Sequence, residues 1–143
     1  MENQVNVYQQ MHISGLNQKE LIVMLYSGAI RFIEQGRELI LKKDVPGAHA
    51  KLNSARNIFI HLLSTLNMEA GGQISKKLLS LYAYFIEKIT MANATKNVAE
   101  LDDIIPLIQD IKEAWEKVEF DEAAITDKTV AKLEPAKAFI AEV

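Results

Sequence analysis

Between residues 17 and 118 apolar side chains recur at three- and four-residue intervals, and this spacing predicts four amphipathic helices. The first follows Ser14 or Asn17 as a cap, with Glu20 three residues beyond Asn17 in the manner of a capping box, and runs to about Lys43. It carries two apolar lines. One passes through Leu21, Leu25, Ala29, Phe32, Gly36 and Leu39, the other through Ile22, Tyr26, Ile30, Ile33 and Ile40. Residues 21–26, Leu-Ile-Val-Met-Leu-Tyr, are apolar without interruption. At about 100° per residue such a run wraps most of the helix, whereas one bundle core needs a single stripe. Two lines imply two contacts. We assign Leu25, Ala29 and Phe32 to the core and Ile22, Tyr26, Ile30 and Ile33 to a second, exposed surface.

Asp44-Val45-Pro46-Gly47 stops the first helix and starts the second, because proline is tolerated only in a first turn. The second helix carries Ala48, Leu52, Ala55, Ile58, Phe59, Leu62, Leu63 and Leu66; Gly71-Gly72 ends it. Ile60 stands off its main stripe. A third helix carries Ile74, Leu78, Leu81, Tyr82, Phe85, Ile89 and Ala92, and Tyr82 and Tyr84 point to different faces. The fourth carries Leu101, Ile104, Ile105, Ile108, Ile111, Trp115 and Val118. Pro106 lies within it, so this helix either starts late, near Asp102 or Asp103, or kinks.

No segment alternates with the period of a strand. Short connections make sequence neighbours antiparallel. The expected fold is all-α: an up-down-up-down four-helix bundle over residues 1–118, with an irregular N-terminal cap segment at 1–16. Residues 119–143 form a C-terminal extension in which Ile125, Val130, Leu133, Phe139 and Ile140 suit one short helix, or two separated by Pro135.

Composition narrows the function. The 143-residue chain has no cysteine and carries a net charge of -3, against nucleic acid as the main partner. No apolar run approaches the roughly 18 residues of a membrane span, and the N-terminus lacks a secretory pattern. The expected location is cytoplasmic. Charge is uneven: residues 1–96 hold 11 Lys/Arg against 7 Asp/Glu, and residues 97–143 hold 5 against 12. His12, His49 and His61 fall in different segments without carboxylates at ligand spacing, so neither metal nor cofactor is expected. Glu34/Glu38 and Asp110/Glu113 are at helical spacing on polar faces, where carboxylates are usually solvated. No phosphate loop or nucleophilic triad is present. The chain reads as a binding protein, not an enzyme.

Leu21-Ile22-Val23-Met24-Leu25-Tyr26-Ser27-Gly28-Ala29 resembles a signature of the FliS family, the cytoplasmic export chaperones of flagellin. Gly71-Gly72-Gln73-Ile74, with Leu78 and Leu81-Tyr82-Ala83-Tyr84, resembles a second. Ala92-Asn93, Ala114-Trp115 and Tyr8-Gln9-Gln10 are similar to further family marks, so the likeness runs in register over about residues 5–118. Ser27 and Ala83 replace an acidic residue common after each Leu-Tyr, and His61 stands where an acidic residue is common.

The resemblance implies an antiparallel bundle that binds the disordered C-terminal segment of flagellin in apolar grooves. Binding of this kind blocks premature polymerisation and keeps the client fit for type III export. Contact with a component of the export gate, no membrane insertion, and a monomer or weak dimer when free are also expected. The client-binding residues expected on this basis are Val5, Tyr8, Ile22, Tyr26, Ile30, Ile33, Ile58, Ile60, Leu62, Leu66 and Tyr82. Ile58, Leu62 and Leu66 suit the core equally well. Val5 and Tyr8 are placed to cover a groove in the free protein. The alternative is a generic helical adaptor, or a bundle that self-associates through its surplus apolar face.

Overall fold

The computed structural model describes residues 18–66, 68–69 and 72–117. Four helices account for nearly all of them: α1 (Gln18–Leu41), α2 (Val45–Ser64), α3 (Gly72–Thr95) and α4 (Ala99–Lys117). There is no strand among the described residues. The cap segment 1–16, the capping residues Ser14 and Asn17, and the extension 119–143 lie outside them.

Side-chain contacts fix the topology. Gly36, late in α1, meets Leu52, early in α2. His49 at the start of α2 reaches Asn93 near the end of α3. Lys88 late in α3 holds Glu100 at the start of α4, and Arg37 of α1 holds Asp102 of α4. Each pair joins the end of one helix to the beginning of another, so sequence neighbours are antiparallel and α4 closes against α1. This is the up-down-up-down bundle.

Local chemistry sets the corners. At the end of α1 the Asp44 amide donates to the Leu39 carbonyl at 2.9 Å and the Lys43 amide to that of Ile40 at 3.0 Å, with Lys43 left-handed at φ 62°. That is the Schellman arrangement, with lysine where glycine is usual. Asp44 serves at once as the N-cap of α2, its carboxylate accepting from the Gly47 amide at 3.0 Å. Two helix ends are thereby satisfied within three residues.

α4 begins at Ala99, earlier than the sequence suggested, with the Asn97 side chain accepting from the Ala99 amide. It runs through Pro106. Pro106 and Asp102 are both exposed, so solvent can take up the carbonyl that proline leaves without an intrahelical donor.

The core is filled by Leu21, Leu25, Tyr26, Ala29, Ile33, Leu52, Ala55, Phe59, Leu78, Leu81, Tyr82, Phe85, Ile89, Leu101, Ile104, Ile108, Ile111 and Trp115. Phe59 is its aromatic hub, with ring centroids 5.2 Å from Phe85, 6.0 Å from Tyr82 and 6.4 Å from Tyr26. Such offset pairs add roughly 0.5–1.5 kcal/mol beyond their area.

A candidate docking surface along the second and third helices

Burial revises the division of α1. Tyr26 and Ile33 are fully buried and Ile30 nearly so, against the expectation that they form an exposed second line. The physical reason is that the other three helices close on this line: Phe59 of α2, Tyr82 of α3 and Trp115 of α4 all meet Tyr26, and α4 lies beside Ile30. Phe32, expected in the core, is half-buried instead, with the Arg31 guanidinium 5.4 Å and the Lys51 ammonium 5.6 Å from its ring centroid. Cations over both approaches let that ring sit at the rim.

The surplus in the six-residue run therefore lies elsewhere. Leu21, Leu25 and Tyr26 are core, Ile22 and Val23 are half-buried, and Met24 is 45% exposed. Val23 and Met24 line a cleft of about 340 Å³ with Lys19, Glu20 and Glu116, where α1 begins and α4 ends.

Of the remaining expected binding residues, Ile58, Leu62 and Tyr82 are buried core. Leu66 is half-buried just past α2. Ile60 is exposed, at 37%. Val5 and Tyr8 lie outside the described residues.

Ile60 is not alone on its face. It continues a row on α2 with His49, Arg56 and Leu63, at intervals of seven, four and three residues. A row on α3 comprises Leu79, Ala83, Ile86 and Asn93, at intervals of four, three and seven. Asn93 donates from its amide nitrogen to His49 Nδ1 at 2.9 Å, so the two rows flank one seam between α2 and α3. Leu79 is 37% exposed, Ala83 is exposed, and Leu63 and Ile86 are half-buried. The sequence reading missed Leu63, Leu79 and Ile86. One signal was available: Leu79 follows Leu78 off the core stripe, just as Ile60 follows Phe59.

The electrostatics of the bundle are divided. α2 contains no acidic residue and α3 only Glu87, against Lys51, Arg56, Lys76, Lys77 and Lys88 on the two. α4 holds Glu100, Asp102, Asp103, Asp110, Glu113 and Glu116 against Lys112 and Lys117. Some of this charge is neutralised between helices. Lys88 Nζ lies 2.6 Å from Glu100 and 3.0 Å from Asp103, and these partners raise its pKa. The Arg37 guanidinium, 2.7 Å from Asp102, holds that carboxyl below its usual range. Partial burial lowers the pKa of His61.

Chemically the surface offers apolar area, with the cation Arg56 in the α2 row. Among the described residues, no three of His, Cys, Asp and Glu gather as a metal-holding group. No described helix is long and apolar enough to cross a membrane. Ile60 and Leu63 on one side of the seam, and Leu79, Ala83 and Ile86 on the other, stand at helical spacing and suit the apolar stripe of another helix.

Comparison with known proteins agrees in kind. A family model described as "Flagellar protein FliS" matches residues 1–122. The flagellar secretion chaperone FliS of Vibrio cholerae is 36% identical over 106 residues, covering 74% of this chain and 78% of the relative. That of Campylobacter jejuni is 30% identical over 117 residues, covering 82% and 91%. The protein of the same description from Bacillus subtilis is 26% identical over 117 residues, covering 82% and 86%.

Proposed function

The chain belongs to the FliS family of flagellar proteins, and on that premise we propose that it is a cytoplasmic secretion chaperone that binds the disordered C-terminal segment of flagellin. On this reading it works by binding, without catalysis or a cofactor, and its client docks on the α2–α3 seam through Ile60, Leu63, Leu79 and Ile86. Ile22 and Leu66, both half-buried, extend the contact at neighbouring edges. The observation that supports the placement is the cluster of Ile60, Leu63, Leu79, Ala83 and Ile86, left exposed or half-exposed beside a filled core. A bundle whose only task is to fold has no need of them, since apolar surface left in water forgoes about 25 cal/mol per Å².

The binding step is helix-in-groove recognition coupled to folding of the client. Apolar burial drives it, and ordering the client opposes it by several kcal/mol. Occupying the segment that flagellin uses for its own assembly keeps the client monomeric and unfolded enough for type III export. Presentation of the loaded complex to a component of the export gate follows as a second contact.

Calorimetry and co-elution with a flagellin C-terminal fragment test the proposal. A 1:1 complex with a negative heat-capacity change is expected. Absence of heat at every temperature together with absence of co-elution overturns it. A concentration-dependent dimer that ignores flagellin is the result that favours a self-associating adaptor instead.

A further inference from the structure

We infer that the C-terminal extension, residues 119–143, is an internal competitor that occupies the α2–α3 seam of the free protein; the inference rests on the client site proposed above. Three observations carry it. First, the charges are complementary. The extension holds six Asp/Glu and three Lys; of the five Lys/Arg on α2 and α3, Lys88 is held by Glu100 and Asp103 and Lys51 lies over Phe32, which leaves Arg56, Lys76 and Lys77 to face it. Its own neighbour α4 is acidic and repels it, so folding back along α4 is disfavoured.

Second, the chain reaches. α4 ends at Lys117, at the same end of the bundle as Ile60, Leu63 and Leu79, which lie late in α2 and early in α3. With helix axes 8–10 Å apart, crossing the bundle end takes roughly 15–20 Å, or about six extended residues. About twenty residues then remain, divided by Pro135 into two short stretches and long enough to lie along the seam. Third, Ile125, Val130, Leu133, Phe139 and Ile140 supply apolar side chains to cover it. The family model ends at residue 122, so the greater part of this segment lies beyond the matched region.

The test uses the full chain. Because the protein has no cysteine, a nitroxide attached at Ala131→Cys reports from that position alone. Broadening of the methyl signals of Ile60, Leu63 and Leu79 is expected, and its loss when a flagellin C-terminal fragment is added. Broadening that is absent, that is confined to Val23 and Met24, or that comes only from a label at Asn6→Cys, overturns the inference. The double variant Val130→Asp/Leu133→Asp should bind the fragment more tightly, by about tenfold if the seam is covered nine-tenths of the time. Unchanged affinity also overturns it. Should the fragment bind neither form, the proposed function fails, while the nitroxide measurement still decides whether the extension docks.

Discussion

The hydroxyls of Tyr26 and Tyr82 hydrogen-bond to each other inside the bundle, joining α1 to α3 across the core. The Trp115 indole, a donor only, reaches the same Tyr26 hydroxyl from α4. Three helices thus meet at one polar point. A buried phenol without a partner would be strongly disfavoured, so the hydrogen bonds demand one register among the three helices.

This pair makes the protein sensitive to alkali. Burial raises the pKa of both phenols above the usual value of about 10, and the neighbouring Tyr82 phenol pushes that of Tyr26 in the same direction. A folded-state pKa raised above the unfolded one gives stability that is complete below the unfolded pKa. The unfolded phenols begin to lose protons near pH 10. From there upward the unfolded chain binds fewer protons than the native one, and stability falls. Urea midpoints measured from pH 8 to 11.5 should be lower in the upper part of that range, and the decline should be shallower in Tyr26→Phe/Tyr82→Phe. Each single Phe variant should lose about 1–3 kcal/mol at pH 7, because it strands a buried partner. The double variant should lose less than the sum of the two. Strict additivity would show that the hydroxyls do not depend on each other.

At Gly36 the two antiparallel helices touch. A Cβ there would lie 2.6 Å from Cδ2 and 2.8 Å from Cγ of the fully buried Leu52. Gly36→Ala should therefore destabilise by about 1–3 kcal/mol, despite the better helix propensity of alanine. Leu52→Ala opens the space again. The double variant should consequently be less impaired than the separate losses predict, as a thermal-unfolding cycle can measure.

Lys43 presents the opposite case. Its left-handed backbone closes the Schellman corner, where a β-carbon is unfavourable. Lys43→Gly should stabilise by about 0.5–1 kcal/mol, the steric relief outweighing the greater freedom of glycine in the unfolded chain. A lower melting temperature for this variant would falsify the account of the corner.

Substitutions that separate binding from folding follow from burial. Ile60→Asp and Leu79→Asp add charge to partly exposed positions, so each should shift stability by less than about 1 kcal/mol. Each should weaken capture of the flagellin fragment at least tenfold. Tyr26→Asp buries a charge among Phe59, Tyr82 and Trp115, and should unfold the bundle before any binding can be measured. Circular dichroism beside calorimetry on the three variants distinguishes the outcomes.

Helix number, order and approximate ends were legible because apolar spacing, Asp44-Val45-Pro46 and Gly71-Gly72 are local signals. So was the likeness to the FliS family, carried by short motifs in register. At Pro106 local signals left two alternatives open, and exposure of that position decides against the late start by letting the helix continue through the proline. Local signals failed at the start of α1, where helix-wide amphipathicity cannot say which of two apolar lines meets a neighbour.

The sequence by itself determined that residues 21–26 hold more apolar circumference than one contact can cover, since periodicity is a property of the chain. Which side chains are the surplus was decided only by packing. Phe59, Tyr82 and Trp115, one from each of the other helices, close over Tyr26, leaving Met24 outward, while antiparallel pairing brings Ile60 and Leu79 to one seam. Exposure depends on what stands opposite a residue in space, and that partner lies dozens of positions away in the chain.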